Sequence, residues 1–195
     1  MANLFGITGT IGSGKSFMSQ ALRERGYQVF DSDTEAHRIM EHNPMVRSQI
    51  EWLFGSDIYQ SDKLNRREVA RQVFSDAALL TKLNSIVHPA VGFELQQWAK
   101  EQPQICFVES ALMYESGLYK WCKAVILVSA PLEVRLQRAM QRDKSDREQI
   151  INRLNNQTNQ AELQLKCDLI IENDGKQTAD ALCLQIIDFC NTFVG

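Results

Sequence analysis

The run Gly9-Thr10-Ile11-Gly12-Ser13-Gly14-Lys15-Ser16 has the residue types and spacing of a phosphate cradle, G-x-x-x-x-G-K-[S/T]. Its glycines let backbone close around phosphate oxygens without a Cβ in the way. Successive loop N–H groups form an anion nest. A helix opening at Lys15 would turn its positive end to the same point. In such a cradle Lys15 bridges the β- and γ-phosphates of a nucleoside triphosphate, and the Ser16 hydroxyl ligates Mg²⁺. The bare alternative is a glycine-rich turn between a strand and a helix.

Acidic residues follow two apolar runs. Val29-Phe30 leads into Asp31-Ser32-Asp33. Asp31 and Asp33 are two apart, so in extended chain they share a face. At the C-terminal end of a parallel strand they would stand where open α/β sheets bind ligands. One of them could take the proton of an attacking hydroxyl as general base. Asp33 also suits the cap of a helix beginning near Thr34. The run Ile105–Val108 ends in Glu109-Ser110. That places Glu109 where a carboxylate holds the metal, through water, because Glu is longer than the usual Asp.

Between Pro131 and Gln160 lie Arg135, Arg138, Arg142, Lys144, Arg147 and Arg153, against Glu133, Asp143, Asp146 and Glu148. A solvated helix face accounts for Arg147 and Arg153. Arg138 and Arg142 share one helical face. They suit a lid that closes over ATP, neutralises the transferring phosphoryl group and excludes water.

These residues need a scaffold. The apolar runs Asn3–Thr8, Ile105–Val108 and Val125–Val128 read as buried strands, with Asp168–Ile171 and Gln28–Phe30 as shorter ones. They alternate with helical patterns, which predicts an α/β fold, a three-layer parallel sheet of the P-loop type. After Lys15 the residues Phe17, Met18, Ala21 and Leu22 fall on one helical face. Residues 34–102 read as a helical insertion without a strand, longer than a crossover needs. A helix starting near Pro131 is interrupted at Asp143-Lys144, and Ser145-Asp146-Arg147-Glu148 has the capping-box form that starts another. Leu182, Ile186, Phe189, Cys190 and Phe193 make an amphipathic C-terminal helix. The expected divisions are 1–33, 103–130 and 165–195 as nucleotide-binding core, 34–102 as substrate subdomain and 131–164 as lid.

The chain of 195 residues carries 21 Lys and Arg against 24 Asp and Glu, a formal charge of -3. A mildly acidic chain has no general attraction for nucleic acid or an anionic membrane. Anions must be held by a local site. The N-terminus does not read as a secretory signal, and no apolar run reaches the ~18 residues of a membrane span. Cys106, Cys122, Cys167, Cys183 and Cys190 form no C-x-x-C pair and read as reduced thiols of a cytoplasmic protein.

Taken in order, these motifs resemble the dephospho-CoA kinase family from Phe5 to about Gly175. The resemblance rests on Gly6 to Ser16, Val29 to Asp33, Phe54-Gly55, Leu64-Asn65-Arg66, Val73-Phe74, His88-Pro89, Leu112 to Glu115, Arg142-Asp143, Gln157 and Ile171 to Gly175. It implies transfer of the γ-phosphoryl group of ATP to the ribose 3′-hydroxyl of dephospho-CoA, with Mg²⁺, by a monomer that binds neither nucleic acid nor membrane. Carried over, Ile11, Gly12, Ser13, Gly14, Lys15, Ser16, Phe17 and Arg138 meet ATP, with Asn173 and Gly175 near its adenine. Asp33, Lys15 and Arg142 are catalytic. Thr8, Asp31, Asp33, Arg66, His88 and Glu115 face the acceptor, and Ser16 and Glu109 serve the metal. His88 before Pro89 also fits a helix end. Four departures stand out: Glu109 replaces Asp and Ala111 replaces Pro after the third strand, Phe17 replaces Thr, and Asn65 replaces Asp. A nucleoside-monophosphate kinase shares the loop and lid, and a nucleotide-switch module shares the loop. A GTPase would show Asn-Lys-x-Asp, which this chain lacks.

Overall fold

The apolar run after Asn3 forms β1, Leu4–Thr8, and every one of its residues is buried. The structure, a computed structural model, describes residues 3–102, 104–155, 157 and 159–194. The strands β2 (Gln28–Asp31), β5 (Cys106–Glu109), β6 (Val125–Ser129) and β7 (Leu169–Glu172) join β1 in one sheet, in the order β2-β5-β1-β6-β7. Each pairing is parallel. A parallel sheet is covered on both faces. Accordingly β5 and β6 are buried along their whole length. The loop after β1 therefore leaves from the middle of the sheet. Asp31 and Glu109 stand opposite each other in register at the ends of β2 and β5.

The chain forms two compact units, Met1–Asp31 with Ala99–Gly195, and Ser32–Trp98. In the first, α1 (Lys15–Glu24) and α9 (Ala179–Asn191) pack on the sheet. Phe5, Ile7, Met18, Leu22, Phe107, Ile126, Ile171 and Ile186 belong to this core. Fully burying each such side chain is worth about 1.5–3 kcal/mol. Thr178 caps α9 by accepting from the Ala181 N–H. Phe193 lies beyond α9, yet its ring meets Phe5 and Phe189 edge-on. Three further helices are α6 (Leu132–Asp143), α7 (Arg147–Asn155) and α8 (Gln160–Lys166).

The second unit holds α2 (Ser32–His42), α3 (Pro44–Phe54), α4 (Arg66–Ser75) and most of α5 (Ala77–Lys100). Asn43 caps α3 ahead of Pro44, and Asn65 caps α4 through the Glu68 N–H.

Several sequence expectations need correction. The helical segment contains a strand pair, β3 (Tyr59–Gln60) and β4 (Lys63–Leu64), joined through Ser61 and Asp62 with positive φ. Two-residue strands are too short to show alternation. Asp33 does not share an extended face with Asp31, because β2 ends at Asp31 and Asp33 sits in the first turn of α2. An acid there faces the positive helix end. His88 and Pro89 lie inside α5 rather than at a helix end. The last sheet strand begins at Leu169; Asp168 instead ties its start to β6, its carboxylate accepting from Val125 N–H and its own N–H donating to Val125 C=O. The cap of α7 is Asp146, which accepts from Gln149 N–H, while Ser145 donates to the Asp143 carbonyl.

All five cysteines are free thiols. Burial pushes Cys106 up to about 11 and Cys190 to about 12, and thiols held protonated are poor nucleophiles. No helix among the described residues is long and apolar enough to cross a membrane.

Candidate phosphate-transfer site

The loop from Gly9 to Gly14 links the central strand to α1. Ser13 N–H donates to Thr10 C=O, and Met18 N–H to Gly14 C=O, which turns the chain directly into the helix. Gly12 and Gly14 have φ of +77° and +96°, a region that side-chain-bearing residues rarely adopt. They are also hemmed in. A Cβ on Gly12 would lie 2.2 Å from the Arg135 carbonyl oxygen, and one on Gly14 would lie 2.0 Å from Asn173 Nδ2.

Lys15 and Ser16 occupy the first turn of α1 and point at one carboxylate. Lys15 Nζ lies 2.5 Å from Glu109 Oε1, and Ser16 Oγ donates to the same oxygen at 2.6 Å. Burial opposes charge on Glu109, but the Lys15 ammonium and the Lys15, Ser16 and Ser19 donors outweigh it and hold its pKa below the ordinary carboxylate range. Ser19 Oγ completes no hydrogen bond among the described residues. Glu109 Oε2, Thr8 Oγ1 and Ser13 Oγ are likewise buried without a hydrogen-bond partner among the described residues. Native structures leave few such atoms, and these four lie on or beside the loop, α1 and the end of β5. The Ser16 hydroxyl, the second Glu109 oxygen and Asp31 in register beside it are hard oxygen donors. They fit Mg²⁺, which takes one or two carboxylates and fills its remaining positions with phosphate and water.

Other expected residues fall in definite places. Arg138 reaches the loop from α6, donating to Asn173 C=O at 2.9 Å and more weakly to Ser13 C=O at 3.5 Å. Asn173 follows β7 and is buried. Its N–H donates to Ser129 C=O and its side-chain amide to Ser13 C=O, so it braces the loop as well as flanking it. Gly175 follows two residues later and has positive φ. Arg142 is exposed and donates to Asp143 through Nε and Nη2. Arg147 pairs with Glu133 and Arg153 with Asp143. Thr8 is buried at the end of β1, Phe17 is exposed on α1, and Glu115 is exposed in the turns after β5. In the helical unit Asp33 opens α2, Arg66 opens α4 and donates to Glu41, and His88 lies within α5.

Two contributors were not singled out from the sequence for the site. Arg135 is buried, donating to Ala130 C=O and to Thr10 Oγ1. Burial lowers its pKa, though not enough to discharge it. Gln157, noted only as a matching position, accepts from the Ile11 N–H at 2.9 Å. The Ile11 N–H, expected among the ATP donors, is therefore committed to a side chain. A signal for Arg135 was present: it lies three residues before Arg138 on the same helix.

The dephospho-CoA kinase family model matches residues 3–179. A dephospho-CoA kinase of Porphyromonas gingivalis is 41% identical over 159 residues, 81% of this chain and 79% of that protein. One of Bacteroides fragilis is 35% identical over 191 residues, 97% of this chain and 93% of that protein. Among solved structures, dephospho-CoA kinase from Campylobacter jejuni is similar with a TM-score of 0.70 and 30% identity over 96% of both chains. A shikimate kinase from Acinetobacter baumannii, 18% identical with a TM-score of 0.58 over 97% of this chain and 93% of that one, shares the fold. The chain belongs to the dephospho-CoA kinase family.

Proposed function

We propose that this chain transfers the γ-phosphoryl group of ATP to the ribose 3′-hydroxyl of dephospho-CoA, giving coenzyme A. The observation that carries this reading is the convergence of Lys15 and Ser16 on Glu109, with the second Glu109 oxygen unpartnered among the described residues. Family membership supplies the acceptor. Phosphoryl transfer asks little covalent chemistry of a protein; positioning and charge stabilisation supply the rate. The loop amides beyond Ile11, with Lys15, hold the triphosphate. Ser16 and Glu109 would hold Mg²⁺. Bound there, the ion would supply positive charge against the negative charge that develops on the transferring phosphoryl group. Asp33 takes the proton of the attacking hydroxyl, and Arg142 leaves Asp143 to meet the transferring group. Asp31, Thr8, Arg66, His88 and Glu115 serve the acceptor. Residues 1–33, 103–130 and 165–195 work as the nucleotide-binding core, 34–102 as the acceptor subdomain and 131–164 as the lid. The chain acts as a monomer in the cytoplasm, with no role for nucleic acid or membrane, in keeping with its net charge of -3.

An ADP-release assay with dephospho-CoA beside a panel of nucleoside monophosphates tests this. ADP should form with dephospho-CoA and Mg²⁺ and stop when the ion is chelated. Turnover of a nucleoside monophosphate with none of dephospho-CoA would refute the assignment.

A further inference from the structure

The first half of the phosphate loop is held by side chains from far along the chain. Ile11 N–H donates to Gln157 Oε1 at 2.9 Å. Thr10 Oγ1 accepts from Arg135 Nη1 at 2.8 Å and donates weakly to Gln160 Oε1 at 3.4 Å. Gln160 Nε2 in turn donates to Ser129 Oγ at the end of β6. Gly12 lies against the Arg135 carbonyl. Thr10, Ile11 and Gly12 are thus fixed one after another, whereas the Ser13 carbonyl beyond them is held by Asn173 and Arg138.

A backbone N–H in such a loop can point into the nest or be held from outside it. At Ile11 the Gln157 carbonyl holds it. The nest then starts downstream, and its curvature depends on where Ile11 is fixed. Thr10 is held through its hydroxyl and by the Ser13 N–H on its carbonyl, and Gly12 by the bulk of the Arg135 backbone; the Ile11 amide is held by a directed bond to one side chain. Directed bonds of this kind set backbone orientation over a few tenths of an ångström, the scale at which phosphate contacts are made or lost.

We propose that Gln157 is a positioning residue for the nucleotide: by holding the Ile11 amide it sets the shape of the phosphate loop and so its affinity for the nucleotide phosphates. The 131–164 segment then acts on ATP through the loop backbone, besides any arginine it brings to the phosphates. This inference rests on the phosphotransferase reading, and ADP binding without acceptor separates the two.

The test uses the full chain, calorimetry with ADP, steady-state kinetics with ATP and amide hydrogen exchange at Ile11. Gln157→Leu removes the acceptor at similar volume. It should weaken ADP binding and raise KM for ATP by about tenfold, the worth of one net hydrogen bond, with kcat within about threefold. Exchange at Ile11 should quicken by about tenfold while amides in β1 and β6 keep their protection. Gln157→Glu keeps an oxygen acceptor and should restore Ile11 protection. Gln157→Asn, too short to span the same gap, should behave as Gln157→Leu and serves if that variant does not fold. Wild-type ADP affinity in Gln157→Leu, or loss of protection spread evenly over the sheet, would overturn the proposal. Failure of the wild-type chain to bind ADP at all would instead remove the phosphotransferase reading beneath it.

Discussion

Lys15 and Glu109 form a buried pair whose energetics bear on the reaction. Removing a carboxylate and an ammonium from water is expensive, and the pair is retained only because each meets the other and Ser16 completes the set. With one Glu109 oxygen unbonded among the described residues, the site holds polar capacity that phosphate and a hard cation can use. Asp33 differs. It is exposed in the first turn of α2, facing the positive end of that helix. Asp33→Asn keeps the side-chain shape and removes the base. Turnover with dephospho-CoA should fall by a factor on the order of 10², while ATP affinity measured without acceptor stays near wild type. Unchanged turnover would remove Asp33 from the mechanism. Lys15, Ser16 and Glu109 were legible in the sequence because their meaning lies in contiguous spacing and in a strand end. The bracing role of Asn173 was not, since its amide bonds a residue 160 positions away.

At the scale of elements, α6 decides the shape of the phosphate loop. Its apolar face, with Leu136 and Ala139, packs with Ile150 of α7 and with Ile11. That places the Arg135 backbone against Gly12. Gly12→Ala would put a methyl where φ is +77° and a carbonyl oxygen stands 2.2 Å away. The backbone conformation alone should cost roughly 1–3 kcal/mol. Either the loop or α6 must also shift. Denaturant unfolding should show the loss in midpoint, with weaker ADP binding alongside it; a midpoint equal to wild type would mean that the contact relaxes freely. The helices themselves were largely readable from apolar spacing and caps. Their ends were less so: α7 opens one residue later than the S-x-x-E run suggests, because Asp146 and not Ser145 accepts from the Gln149 N–H. The pair β3 and β4 escaped notice because two-residue strands carry no period.

Across the whole molecule, ionisation favours the folded chain at neutral pH. Hydrogen bonds from Arg142 and Arg153 hold Asp143 at about 2, and hydrogen bonds from Arg71 and Gln72 hold Glu68 at about 2. Both values lie below those of the unfolded chain, so this stability is present above about pH 4–4.5 and is lost as pH falls toward 2. These pairs are partly exposed, so salt should weaken the effect. The melting temperature should hold steady near neutral pH and drop below about pH 4.5. Asp143→Asn should melt lower than wild type at neutral pH, and the gap should close by about pH 2; a gap independent of pH would contradict the linkage. The sequence by itself determined the nucleotide-binding half of the protein: a phosphate loop after an apolar strand, acids at strand ends, and an alternation that argues for a parallel α/β sheet. Each of those signals is local, a matter of neighbouring residue types. Tertiary structure alone decided which side chains meet the loop. It brought Arg135 and Arg138 to it across 125 positions and Gln157 across 146, while Arg142, on the same helix, turns to Asp143. Periodicity marks which face of a helix is apolar, but the partner of that face is chosen by packing between segments far apart in the chain.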